Sequence, residues 1–417
     1  LTSANLKSNL TWITFDTSEI EQARIVIKQL EGDSTVDKLG LGNPVEKISD
    51  IFFPGTSTLH TFLRYKIFVP AIIASLYSRK KPVDRPAEEL RRAEYSLQKA
   101  LLESGMTTGV IGRTRGEALK YWPSLTYWNG FNALEIFGSR YYSREDIFRI
   151  ISERFDDRVI DDDGDVDAVT ESTIDFEPEF IAIAKALFTT DFGSTKFRTP
   201  ITSALTPTEA HYLRRKYQDL HPRSLTSHLI ALPLSKLAAI DSIFALRTTG
   251  NPARDQLLKQ SEAFSRVSAG ITHAYRYTLC KSRITSTLRI ADERSAWQDK
   301  MQRNLKHFIN WNNTAGDIKD WRYAELQMAF KAFSDISIDT DGLGQFIDQA
   351  TAILASGRSP EATLAQLEPI IIDRENSIKK SRSHFRNHTI PVPKNVLGEE
   401  EQTKTHFFDY RWWYGHQ

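Results

Sequence analysis

The run Phe52-Phe53-Pro54-Gly55-Thr56-Ser57-Thr58 joins a turn dipeptide to three hydroxyl residues, a composition suited to holding an anion. With a helix opening at Thr58, the free N–H groups of its first turn, the hydroxyls of Thr56, Ser57 and Thr58, and the positive end of the helix dipole converge. His60 and Arg64 then lie four apart on one helix face, with Lys66 nearby, so a nucleic-acid phosphate can dock. The same residues equally fit a structural role, with hydroxyls capping the helix and cations solvating it.

The charge around this run is uneven. From His60 to Lys120 there are twelve Lys and Arg residues against six Asp and Glu, a local excess of six positive charges. Neutralising backbone phosphates dominates nucleic-acid affinity, so this stretch resembles a phosphate-binding surface. Leu97 to Trp128 can be drawn as a helix, a turn over 105–112, a second helix from Thr114 to Tyr121, and a helix or wing through Tyr127-Trp128-Asn129-Gly130. A helix-turn-helix of that form would turn Arg113, Arg115 and Lys120 toward double-stranded DNA. A plain helical hairpin fits the spacing as well.

Metal and hydrolytic chemistry finds weaker footing. Asp373, Glu375 and Lys379 are the residue types a metal-dependent nuclease needs, carboxylates for the ion and a lysine beside the attacking water. They fall on one helix, where such a set is ordinarily a solvated face. His384 and His388 have metal-ligand spacing only if that helix continues past them, and Pro391 follows closely. Neither Asp161 to Asp167 nor Ser337 to Asp348 fills the positions of a calcium loop. There is no Gly-rich nucleotide loop and no nucleophile elbow. No catalytic residue, metal or cofactor is therefore assigned.

The elements that must position these residues read as mainly α, a multi-helix chain. Pro86 to Glu103 has Pro at its first turn, a Glu88–Arg92 pair and Gly105 just beyond its end. Thr206-Pro207-Thr208-Glu209 combines a capping box with Pro at the first helical position. Ser18 to Leu30 is an earlier helix, Pro70 should kink or restart the one after Thr58, and the aromatic-dense Tyr121 to Tyr142 reads as core. Further helices are predicted at 256–290, 292–311, 321–333, 343–355 and 360–387.

The acidic run within Phe155 to Pro178 repels itself and marks the predicted boundary. That gives a compact N-terminal module over 1–155, a linker or loop over 156–178, a larger helical domain over 179–390 and an irregular aromatic tail over 391–417.

The chain has 417 residues, 40% of them hydrophobic, enough for a sizeable core, and a net charge of +1, so any attraction to nucleic acid must be local. One cysteine, Cys280, excludes an internal disulfide and suits a reducing cytoplasm. The longest apolar stretch, Ile67 to Tyr77, is short of the roughly 20 residues needed to cross a bilayer. No membrane association is predicted.

Taken in order, Trp12-Ile13-Thr14-Phe15, Leu39-Gly40-Leu41-Gly42, Phe52 to Thr58, Arg64 to Pro70, Gly109-Val110-Ile111-Gly112-Arg113, Tyr127 to Gly130, Leu205 to Leu213 and Phe408 to Trp412 resemble one bacterial family of domain-of-unknown-function proteins. The family carries no assigned activity. The resemblance implies an accessory component of bacterial defence islands, encoded near helicase and nuclease genes. The leading expectation is a non-enzymatic nucleic-acid-binding or assembly subunit of such a system, with double-stranded DNA and helicase or nuclease subunits as partners. A metal-dependent nuclease and a scaffold that meets only proteins, through the aromatic Phe407 to Tyr414, are the alternatives.

Overall fold

Every residue from Tyr65 to Leu76 is buried in the computed structural model, as a helix apolar on almost all sides requires. The structure describes residues 39–56, 60–139, 141–154, 173–189, 192–193, 195–246, 248–286 and 291–392. Among them are fourteen α-helices and no strand, only one antiparallel bridge between Phe188 and Phe197. No helix among the described residues is long and apolar enough to cross a membrane. The predicted helix at Ser18 to Leu30 and the aromatic tail beyond Pro393 lie outside the described residues.

The chain divides into two compact units. One comprises residues 44–266 and 321–339; the other comprises 39–43, 267–320 and 340–392 of the described chain. In the larger unit the helices follow as α1 (Gly42–Phe52), α2 (Tyr65–Tyr77), α3 (Pro86–Glu103), α4 (Pro123–Ala133), α5 (Arg144–Glu153), α6 (Pro178–Ala186), α7 (Pro207–Leu220), α8 (Leu225–Leu229) and α9 (Leu234–Leu237). Helix α10 (Pro252–Ser286) follows, then α11 (Ala291–Thr314), α12 (Tyr323–Lys331), α13 (Leu343–Leu354) and α14 (Pro360–Lys379).

In the larger unit α2 is the central element and packs against α3, α4 and α6. Pro70 lies inside α2, where its missing N–H forfeits the i→i−4 bond to Lys66 O, and the helix nonetheless runs on to Tyr77. Around it gather Leu97, Tyr127, Phe131, Phe137, Phe180 and Tyr212, all buried. The aromatic-dense segment is thus mostly core, although Tyr121 and Tyr141 remain exposed.

This core extends across the predicted boundary. Side chains on both sides of the acidic run share it, and the run's end is itself packed: Ile174 is buried, the Asp175 amide donates to Phe137 O at 3.3 Å, and Glu177 accepts from Lys216 Nζ at 2.7 Å. Charge density described the chain's local polarity but not its long-range packing. Residues 155–172 lie outside the described residues.

The smaller unit pairs α13 and α11 with α14. Cys280 is buried on α10. Helix α14 stops at Lys379 because Lys380 turns to φ 50°, so the helix predicted to Asn387 does not reach the histidines. His384 is buried and His388 exposed, and no helix presents the pair to a metal. Burial, with the cations of Lys379 and Arg283, pushes the His384 imidazole down to about 4.

Candidate nucleic-acid interface

Phe52 and Phe53 are buried, and Pro54-Gly55 makes the predicted turn. Gly55 adopts φ 69°, and a Cβ there would come 2.7 Å from both Ala133 Cβ and Gly130 Cα, so glycine is required twice over. Thr56 spends its hydroxyl on its own chain, donating to Phe53 O at 2.6 Å. Ser57 and Thr58 lie outside the described residues.

The helix expected to open at Thr58 opens at Tyr65, with Arg64 in the capping position and no side-chain cap. His60 therefore does not share a helical face with Arg64. Its ring stacks on Tyr127, centroids 4.0 Å apart and planes within 13°.

Arg64 and Lys66, predicted as phosphate ligands, are interior groups. Arg64 donates through Nη1 to Thr202 O at 2.7 Å and through Nη2 to Glu209 Oε1 at 2.9 Å, and its Nε lies 2.9 Å from Glu209 Oε2. Glu209 also holds the start of α7, accepting from the Thr206 amide at 2.7 Å while its own amide donates to Thr206 Oγ1. One carboxylate serves as ion partner and as half of the capping box.

Lys66 is wholly buried and faces no carboxylate within ion-pair distance among the described residues. Its Nζ donates to the Tyr217 hydroxyl at 2.6 Å and lies 3.5 Å from Gly55 O. Burial alone pushes the amine down to about 7. A Cβ on Gly130 would sit 2.8 Å from Lys66 Cε and 2.9 Å from Gly55 O. Pro54-Gly55 and Tyr127-Trp128-Asn129-Gly130 thus meet over one buried amine, which gives both segments a packing role.

This close approach yields a test of opposite sign to helix propensity. In an open helix interior Gly→Ala stabilises by about 1 kcal/mol. Gly130→Ala is expected to destabilise by about 1–3 kcal/mol in denaturant melts, because a backbone carbonyl blocks the methyl. A stabilised variant would show that the approach is not tight.

Arg113, Arg115 and Lys120 are all exposed. They do not ride on a helix. The predicted Thr114 to Tyr121 helix is a series of turns with a single 3₁₀ turn at Gly116–Ala118, since Gly112 and Gly116 both take positive φ. No second helix exists here to enter a major groove.

The loop is nonetheless held firmly. The Ile111 amide donates to the Tyr65 hydroxyl at 3.2 Å, Arg91 Nη2 donates to Glu117 O at 3.0 Å, and Arg113 Nη1 donates to Thr107 O. Gly116 lies beside the Tyr95 ring of α3, and the Arg91 guanidinium lies 5.8 Å from the Trp122 ring. Exposed Arg91 and Lys99 of α3 thus belong to the same face of the protein as the loop. Among the described residues, Arg113, Arg115 and Lys120 form no ion pair. Arg79, Arg85 and Arg92, by contrast, pair with Glu88 and Glu89.

The nuclease set does not converge. Asp373 is exposed, Arg374 donates to Leu39 O at 3.0 Å, and fully buried Glu375 accepts from Lys379 Nζ at 3.0 Å and from the His384 amide at 3.1 Å. Among the described residues no three His, Cys, Asp or Glu side chains are grouped to hold a metal.

Residues 7–145 match a family of unknown function (DUF6361). That stretch includes the Pro54-Gly55 turn, Lys66, the Gly109 to Lys120 loop and Gly130, and ends before α6 and α7. No curated protein matches the chain, and no solved structure does.

Proposed function

We propose that the chain is a non-enzymatic subunit that binds double-stranded DNA through phosphate contacts from Arg113, Arg115 and Lys120, with Arg91 and Lys99 beside them. The observation that supports this is the exposed loop, anchored at Tyr65 and Arg91, whose three cations have no carboxylate partner among the described residues. A fixed loop loses little conformational freedom on binding, and guanidinium groups suit phosphate oxygens. Tyr95 and exposed Tyr121 add aromatic surface to a basic one. A place in a bacterial defence-type system, beside helicase or nuclease subunits, rests on the sequence resemblance.

The test is fluorescence anisotropy with a short duplex across a salt series. Wild-type protein is expected to bind at low ionic strength and to weaken steeply with salt. The triple variant Arg113→Gln, Arg115→Gln, Lys120→Gln should lower the magnitude of the log–log salt slope by about 2–3, roughly one for each phosphate that is no longer neutralised. Absence of duplex binding at low salt, or a slope unchanged in the triple variant, overturns the proposal.

A further inference from the structure

Away from the basic loop, the larger unit contains a cleft of about 420 Å³ lined by the end of α1, the α7–α8 junction and the chain from α12 to Ile336. That volume falls among ordinary small-molecule sites. Its walls are mixed: Ile51, Pro54, Leu220, Phe330, Phe333 and Ile336 form the apolar side, and polar side chains make up nearly half of the lining. Pro54 therefore has the Lys66 cover on its C-terminal side and this cleft beside it.

Lys47 and Arg223 also line the cleft, against one carboxylate, Asp50. Each cation is steadied by a single backbone bond. Lys47 Nζ donates to Ser337 O at 2.7 Å, and Arg223 Nη1 donates to Ala332 O at 2.8 Å with its guanidinium 5.2 Å from the Phe333 ring. An ammonium has three donors and a guanidinium five, so most of the capacity of both is uncommitted among the described residues. Held cations with spare donors, next to aromatic and aliphatic walls, recognise a molecule that is charged at one end and apolar at the other.

We propose that this cleft binds a small organic anion, a carboxylate or phosphate head on a compact apolar body. The site does not depend on the DNA-binding reading, since it shares no residue with the Arg113 to Lys120 loop.

Calorimetric titration of the full chain with phenyl phosphate, benzoate, phenol and inorganic phosphate tests it. Phenyl phosphate or benzoate should bind saturably at one site, and whichever is tighter identifies the head. Phenol, lacking charge, and inorganic phosphate, lacking the apolar body, should each bind at least about tenfold more weakly. Arg223→Gln, at an exposed position, should weaken the anions about tenfold and leave phenol unchanged. Ile336→Asp, at a residue 64% exposed, should weaken them by adding like charge without disturbing the fold. Failure of both organic anions to bind, equal binding of phenol, or anion binding indifferent to both substitutions would overturn the assignment.

Discussion

Replacing Glu209 with alanine is expected to lower the free energy of unfolding by about 3–5 kcal/mol, the scale for stranding one member of a buried ion pair. Arg64 and Glu209 are 7% and 2% exposed, so solvent cannot take over the pairing. The same change removes the capping-box acceptor that holds the Thr206 amide, adding about 1 kcal/mol to the loss. Urea unfolding followed by circular dichroism gives the number. Glu209→Gln keeps an acceptor for the cap while removing the charge, and should fall between alanine and wild type. If Glu209→Ala unfolds within about 1 kcal/mol of wild type, Arg64 is not held as described.

The second large effect is a pH dependence at Lys66. Its folded-state value of about 7 lies below the ordinary 10.5 of a lysine, because the buried ammonium is stripped of its water. Between those values the unfolded chain carries a proton that the folded chain does not. Stability from this group is therefore fully present above about 10.5 and is lost as pH falls through about 7. Subtracting the unfolding curve of Lys66→Met from that of wild type cancels the other titrating groups. The difference should climb in favour of wild type by up to about 1.4 kcal/mol per pH unit from pH 7 upward. Methionine also takes from the Tyr217 hydroxyl its donor, a constant penalty of about 1–3 kcal/mol that does not alter the slope. A flat difference between about pH 7 and 9.5 would mean that the amine keeps its proton in the fold.

Much of the local architecture was legible from the residues alone. Pro86, Glu88, Arg92 and Gly105 fix α3 at the bounds observed, and the 3.6 Å Glu88–Arg92 pair forms as spaced. Thr206-Pro207-Thr208-Glu209 fixes the start of α7 in the same way. These signals are local, each satisfied within one or two turns.

The candidate site was legible only in part, for a physical reason. A cation at helical spacing looks the same whether its head reaches water or a distant partner. Arg64 finds Glu209 at a separation of 145 residues, and Lys66 finds Tyr217 at 151. Two of the expected phosphate ligands thus became interior groups, while Arg113, Arg115 and Lys120 stayed on the surface. The helix-turn-helix failed on signals that were present: Gly112 and Gly116 bracket Arg113 and Arg115, and both adopt conformations that break a helix. The cleft at Arg223 had no sequence sign, since three separate segments build it.

The shared carboxylate of Glu209 also bears on how this sequence can change over generations. Apolar residues of matching volume at 64 and 209 can replace a buried ion pair with little harm or even some gain. Either replacement made alone passes through a stranded charge, and any change at 209 also disturbs the cap set by Thr206. Substitutions at 64, 206 and 209 are therefore expected to travel together among related chains. A drifting lineage can cross that step only with stability in reserve, so this trio acts as a ratchet on the protein's own divergence.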